Sequence, residues 1–191
     1  MINMKKLVIL SLLVCTSILS MVAEVSNNVK FMGISMEAPF SEFVSSLAKK
    51  CELVEASSSY AVFKGNFAGL TDCSIMVAST DGVLLTMVLS PEYNKWQQLK
   101  SDFIAIADAY EKKYGTPTRK TLDFDAGYYD GCGEEMKAVK NDSCNYGVAY
   151  LIDQRLLVTI LISDECKIVF AYAIVEEEKA PTQINVNTDD I

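Results

Sequence analysis

Residues 73–90, CSIMVASTDGVLLTMVLS, decide the predicted fold because they hold two long apolar runs joined by one tight turn. The dipeptide Asp81-Gly82 is typical of a two-residue hairpin, whose backbone needs positive φ angles. The runs on either side, 73–79 and 83–90, have the length and composition of β-strands. A third apolar run at 60–68 precedes them and is followed by a turn at 69–72. The stretch therefore predicts a meander of three antiparallel strands.

Apolar side chains occupy both faces of the run 83–90. Leu84 and Val88 fall on one face, and the other face carries Val83, Leu85, Met87 and Leu89. A strand with one face in water normally alternates apolar and polar residues. The pattern predicts a sheet that is covered on both faces, or one whose second face binds a partner.

Helical periodicity appears before and after this meander. Pro39 suits the first turn of a helix whose apolar positions are Phe40, Phe43, Val44, Leu47 and Ala48. A longer helix carries Trp96, Leu99, Phe103, Ile106 and Tyr110, and Gly115 and Pro117 predict its end near Tyr114. An extended piece at 119–124, a weak helix at 134–140 and three further apolar runs follow. These runs are 146–152, 155–163 and 166–175.

The order of these elements predicts the α+β class. We expect two helix-plus-three-strand units, 29–90 and 93–175, that form one antiparallel sheet of about six strands with the helices on one face. The two units make up a single domain, 24–175. Residues 176–191 are acidic and polar and are expected to be a flexible tail.

The first 23 residues have the pattern of a secretory signal peptide. Lys5 and Lys6 precede an apolar run at 7–19 that is too short for a membrane span, and Ala23 is a suitable cleavage position. We therefore expect a periplasmic or secreted protein. Cys15 does not predict a lipid anchor, because Val14 stands where a lipoprotein signal has a small residue.

The net charge limits the classes of partner that the protein can bind, and the cysteine count bears on disulfide formation. Without residues 1–23, 15 basic residues face 25 acidic ones, a net charge of −10 that disfavours nucleic acid and anionic membranes. Five cysteines then remain, an odd number in an exported chain. Cys132 and Cys144 are candidates for a disulfide across the weak helix, whereas Cys73 and Cys166 are equally well explained as buried apolar residues.

Three short motifs resemble a family of exported proteins. VKFMGISM at 29–36, KGNFAG at 64–69 and KKYGTP at 112–117 are similar to small proteins of Gram-negative gut bacteria with an FMGIPM-like opening. Ser35 stands where that opening usually has Pro. The helix-and-meander order of such proteins looks like the tandem architecture of β-lactamase inhibitor proteins, whose concave sheet binds a protein. The resemblance implies a binding role and carries over no catalytic residue.

The sequence contains no histidine, which removes Ser-His and Cys-His nucleophiles and imidazole metal ligands. No glycine-rich phosphate loop is present, because the glycines at 65 and 69 fall within a strand pattern. We therefore predict a protein that is not an enzyme. Chemistry based on aspartate and glutamate remains as an alternative.

The segment 124–135, FDAGYYDGCGEE, is the best candidate for a site. One interpretation is a calcium site formed by Asp123, Asp125, Asp130 and Glu134, although Gly127 and Tyr128 break the EF-hand frame. A second interpretation is an acid and base pair, Glu134 and Glu135. A third is a loop that leads into a helix whose first turn is acidic. Tyr128, Tyr129 and Asp130 are candidate binding residues, and packing at the core edge is the alternative for both tyrosines.

Together, these features predict an exported, non-catalytic binding module for a protein or peptide in the envelope. The alternatives are a cation-stabilised structural domain, with calcium as the candidate cofactor, and a small carboxylate-dependent hydrolase or lyase. Of these, the binding module accounts best for the apolar residues on both faces of the strands.

Overall fold

A computed structural model describes residues 29–80 and 82–175. Of these residues, 44% lie in strands and 23% in helices. The predicted signal peptide, Cys15, Asp81 of the predicted turn and the acidic segment 176–191 lie outside the described residues.

The described chain contains ten strands and three helices, and their bounds follow. The strands are β1 (Lys30–Phe31), β2 (Ile34–Ser35), β3 (Glu52–Ala56), β4 (Tyr60–Phe67), β5 (Leu70–Thr80), β6 (Val83–Leu89), β7 (Arg119–Phe124), β8 (Cys144–Ile152), β9 (Leu156–Ile162) and β10 (Ile168–Ile174). The helices are α1 (Phe40–Leu47), α2 (Trp96–Tyr114) and α3 (Glu135–Lys140).

The predicted architecture of two helix-plus-three-strand units and a six-stranded sheet is wrong. The sheet has eight antiparallel strands in the order β3-β4-β5-β6-β10-β9-β8-β7, and β1 and β2 form a separate two-stranded hairpin. The prediction of an antiparallel sheet is confirmed. The two meanders meet in the middle of the sheet, where β6 pairs with β10 from Leu89↔Val169 to Leu85↔Ala173.

The two strands missing from the predicted six-stranded sheet are its edge strands, β3 and β7, although the extended piece predicted at 119–124 coincides with β7. The sequence of β3, ELVEA, does not alternate apolar and polar positions, and all five of its residues are exposed. In β7 no residue is buried. Edge strands receive hydrogen bonds on one side only and are often polar, which leaves little pattern to detect. Both are held by their neighbours, β3 by β4 and β7 by β8.

The helices follow the predicted periodicity. Helix α1 begins after Pro39 and buries Phe43 and Leu47. Helix α2 ends at Tyr114, and the φ of +82° at Gly115 explains why glycine follows it. In α2 the buried side chains are Trp96, Leu99, Phe103, Ile106 and Ala107.

One large core lies between the helices and one face of the sheet. Phe63, Ile75, Val88, Val158 and Phe170 come from five different strands, and each is fully buried there. We call this side of the sheet the inner face and the other side the outer face. In the part of the chain that the structure describes, no helix is both long and apolar enough to cross a membrane.

Candidate functional site

The loop between β7 and α3 contains most of the predicted site residues. It folds through two consecutive turns, in which the Tyr128 N–H donates to the Asp125 carbonyl at 3.2 Å and the Cys132 N–H donates to the Tyr129 carbonyl at 3.1 Å. Glycines in the loop take positive φ angles, among them Gly131 at +93°. The glycine content of the segment is therefore explained by its turns.

Asp130 connects this loop to α2. Its Oδ1 accepts a hydrogen bond of 2.7 Å from Nε1 of Trp96, and its Oδ2 pairs with Nζ of Lys100. Lys100 and then Trp96 lower the pKa of the Asp130 carboxyl, because both donate to its charged form. Trp96 is only 3% exposed and packs edge-on against Phe124 and Tyr146. Asp130 thus satisfies the single polar group of a buried indole.

Glu135 is the one acidic residue among the buried side chains of the described chain, with 4% of its surface exposed. Its Oε1 accepts a 2.7 Å hydrogen bond from the N–H of Gly131. Its own N–H and those of Gly131 and Gly133 lower the pKa of this carboxyl, although burial acts in the opposite direction. The side chain closes the loop onto the first turn of α3, where a negative charge is favoured.

The other predicted metal ligands have separate partners. Asp125 Oδ1 accepts from Nδ2 of Asn145 at 2.7 Å, and Glu134 pairs with Lys137 at 3.3 Å on the surface. Asp123 lies in β7, opposite Asn145 of β8. Within residues 29–80 and 82–175, no three carboxylate or thiol side chains come together in a group that could hold a metal ion.

These environments favour the structural interpretation of the loop over acid catalysis. A carboxylic acid that donates a proton near neutral pH needs a raised pKa. The pKa values of Asp130 and Glu135 are both lowered, by the hydrogen bonds that they accept. Asp130 therefore joins the loop to Trp96, and Glu135 joins the loop to the start of α3.

The two candidate binding tyrosines differ in their surroundings. Tyr128 is partly buried, and its hydroxyl lies 3.5 Å from the side-chain nitrogen of Asn141. Tyr129 is 67% exposed, the highest value among the exposed large apolar side chains of the described chain. The loop thus presents Tyr129 to solvent, while Asp130 beside it is occupied by Trp96 and Lys100.

The predicted disulfide between Cys132 and Cys144 is not formed, and the described residues contain no disulfide. Cys144 lies in the core at the start of β8, whereas the sulfur of Cys132 accepts a hydrogen bond from the Glu134 N–H in the loop. Cys73 and Cys166 are fully buried, as expected of small core residues. Burial raises the pKa of both thiols, which disfavours the reactive thiolate.

The outer face of the sheet carries the second set of apolar side chains that the sequence shows in the run 83–90. On β4, β5 and β6, alternate side chains point away from the core. The register aligns Val62 with Met76 and Met87 in one row. The next row contains Tyr60, Ala78 and Leu85. We call these six residues the outer apolar patch.

The outer apolar patch is open to solvent. Met76 is 43% exposed, Tyr60 39% and Leu85 38%, and the other three side chains are partly buried. A shallow hollow of about 170 Å³ lies over it, lined by Tyr60, Met76, Ala78, Leu85 and Met87 together with neighbouring residues of β4 and β5. Charged residues lie beside it, Glu55 on β3 opposite Val62 and Lys64 further along β4.

The two halves of the outer face differ. On β8, β9 and β10 the outward side chains Ala149, Leu157, Thr159 and Val169 are buried, and Ala149 and Leu157 form a small second cluster with Val175. The most exposed apolar side chains of the outer face among the β4–β6 and β8–β10 strands, Met76, Tyr60 and Leu85, therefore lie in the β4–β6 half, whereas Leu151, Leu161 and Ala173 of the other half are only partly buried. Comparisons of the chain with protein-family models, with curated proteins and with solved structures find no match.

Proposed function

We propose that this chain is an exported, non-catalytic binding protein that holds a protein or peptide of the envelope on its outer apolar patch. The observation that carries the proposal is the row Val62–Met76–Met87 beside the row Tyr60–Ala78–Leu85, an apolar surface on the sheet face opposite α1, α2 and α3. Contiguous apolar patches with a polar surround are typical of interaction sites.

The composition of the patch supports a macromolecular partner. Two methionines have flexible, polarizable side chains that adapt to the shape of a partner. Tyr60 adds an aromatic ring whose hydroxyl is already bonded to Glu55, so the ring can be covered without leaving a polar group unpaired. The hollow above these residues is shallow, which suits a protein surface or an extended peptide better than an enclosed small molecule.

The cellular location in this proposal rests on the sequence. Residues 1–23 have the pattern of a secretory signal peptide, and the remaining net charge of −10 disfavours nucleic acid as the partner. The carboxylates at 123–135 have structural partners, so they favour neither the hydrolase nor the calcium alternative.

Two variants that each replace one exposed leucine with glutamate test the proposal. Leu85→Glu places a charge in the outer apolar patch. Leu122→Glu is the matched control, because Leu122 is also 38% exposed and pairs with the core residue Tyr146 on the inner face. The exported protein and both variants are used to capture partners from envelope extracts, and the captured protein is then titrated against each in purified form.

We expect a partner that binds the wild type and the Leu122→Glu variant and is lost with Leu85→Glu. Equal binding to all three proteins would place the partner elsewhere on the molecule. Failure to retain any partner, with both variants folded, would contradict the protein-binding function.

A further inference from the structure

A large groove lies on the inner side of the molecule, away from the outer apolar patch. Its volume is about 1020 Å³, and it runs between α2 and the turns that join β1 to β2, β4 to β5 and β8 to β9. Ala105 and Ala109 of α2 and Gly33 and Ala68 of two of the turns keep it wide. This volume is at the upper end of the range of about 300–1,000 Å³ found for small-molecule sites.

Aromatic and apolar side chains line the groove. Phe67, Tyr110 and Tyr114 are only partly buried and face it, together with Met32 and Ile152. The hydroxyls of Tyr110 and Tyr172 are hydrogen-bonded to each other, which leaves neither phenol without a partner when a ligand displaces water. An apolar ligand can therefore cover the Tyr110 and Tyr172 rings while each of their hydroxyls keeps one hydrogen-bond partner.

The charged residues of the groove are two lysines and one aspartate. Lys30 enters from β1 and Lys113 from α2, and Asp153 lies in the turn between β8 and β9. The Lys113 ammonium lies 4.6 Å from the centre of the Tyr114 ring, so its charge is held against the aromatic wall. In a chain of net charge −8, a groove with a surplus of basic residues is a local exception that favours an anion.

The phenols support the same selectivity. Burial raises the pKa of Tyr110 to about 12, and burial and the neighbouring Tyr110 also raise the pKa of Tyr172 well above its usual value. Both therefore remain neutral in the physiological range and place no negative charge near a bound anion.

We propose that the groove between α2 and the β1–β2 hairpin binds an amphipathic carboxylate of the fatty-acid class, with the apolar chain along Phe67, Tyr110 and Tyr114 and the carboxylate at Lys30 and Lys113. The ligand is amphipathic because the groove combines apolar walls with basic groups at two of its sides. This site is separate from the outer apolar patch, and its occupancy does not depend on the function proposed above.

Calorimetric titration of the purified full chain tests the site, with laurate below its micelle concentration as the probe and lauryl alcohol below its solubility limit as the neutral counterpart. The double variant Lys30→Glu/Lys113→Glu reverses the two charges. Lys49→Glu/Lys50→Glu is its matched control, because both residues are exposed just after α1, make the same change in net charge and do not line the groove. Ala109→Trp, at an exposed position of α2, narrows the groove without touching the core.

We expect laurate to bind the wild type and the Lys49→Glu/Lys50→Glu control alike, and to bind Lys30→Glu/Lys113→Glu about tenfold or more weakly. Lauryl alcohol should bind more weakly than laurate, and Ala109→Trp should lose most of the affinity for both. Absence of laurate binding, equal binding of the alcohol, or unchanged binding by Ala109→Trp would overturn the proposal. Loss of laurate binding in Leu85→Glu would also overturn it, because that result would place the ligand on the outer apolar patch.

Discussion

The indole Nε1 of Trp96 donates a 2.7 Å hydrogen bond to Oδ1 of Asp130, 34 residues further along the chain. This bond joins the first turn of α2 to the loop between β7 and α3 and satisfies the indole donor of Trp96, a residue that is only 3% exposed. In the sequence, this loop is the segment that most resembles a catalytic or metal site. In the structure, its contact with Trp96 shows that it covers the core.

Asp130→Ala should destabilise the protein by about 1–3 kcal/mol, because it leaves the buried Trp96 N–H without its acceptor. Asp130→Asn keeps an acceptor oxygen and loses mainly the partly exposed ion pair with Lys100, which should cost less, about 0–1 kcal/mol. Urea denaturation, followed by the fluorescence of Trp96, the single tryptophan of the chain, measures both. An equal loss in the two variants would mean that the ion pair, and not the indole bond, holds the loop.

Acid should destabilise the wild type more steeply than a Glu135→Gln variant. The pKa of Glu135 is lowered in the folded state, so its contribution to stability is fully present above the unfolded pKa of about 4.3 and is lost as pH falls through the folded pKa. The glutamine does not titrate and removes this part of the pH dependence. The free energy of unfolding, measured from pH 7 down to pH 2, should therefore give converging curves for the two proteins at low pH. Parallel curves would contradict the lowered pKa.

Calcium should leave the melting temperature unchanged. Asp125 and Asp130 already accept hydrogen bonds from Asn145 and from Trp96 and Lys100, so binding an ion would require breaking these contacts. Thermal unfolding in millimolar calcium and in a chelator measures the effect, because a ligand that binds only the folded state raises the melting temperature. A rise with calcium that the chelator reverses, and that Asp130→Asn abolishes, would restore the cation interpretation.

Gly65→Ala should destabilise the protein by about 1–3 kcal/mol through overpacking. A Cβ at this position would lie 2.8 Å from Sγ of the buried Cys51, next to the point where the register between β4 and β5 shifts. The same substitution in a Cys51→Ala background should cost less, because the sulfur is then absent. A double-mutant cycle measured by urea denaturation gives the coupling, and additive effects would show that the close approach is relieved elsewhere.

The parts of the fold that were predictable are those with a local cause. Helix α2 could be placed because its apolar stripe begins at Trp96 and its end is set by Gly115. Strand β3 could not, since ELVEA has five exposed residues and pairs only through contacts with β4. Six of the seven strand pairings in the eight-stranded sheet join consecutive strands, whereas the pairing of β6 with β10 joins distant segments that no local pattern specifies.

The candidate sites also differ in whether a local sequence pattern could predict them. Leu85 and Met87, on the second face of β6, indicated the outer apolar patch, because they follow a pattern of period two within a single strand. The bond from Trp96 to Asp130 joins residues with no shared periodicity, and the carboxylates at 123–135 therefore resembled an exposed site. Nothing in the spacing of Lys30 and Lys113 predicted that they line one groove, because α2 and the β1–β2 hairpin meet only in the folded chain.

Thr86→Val should stabilise the protein. Thr86 is fully buried in β6, where it is paired with Val77 of β5 and Tyr172 of β10, and its hydroxyl has no hydrogen-bond partner within the described residues. Valine has nearly the same shape and removes a buried polar group that costs about 1–3 kcal/mol when unsatisfied. Thr86→Ser is the control, because it retains the hydroxyl, removes the methyl group and should destabilise. Urea denaturation should therefore rank valine above threonine and threonine above serine, and a loss of stability with valine would show that the hydroxyl is satisfied in the folded protein.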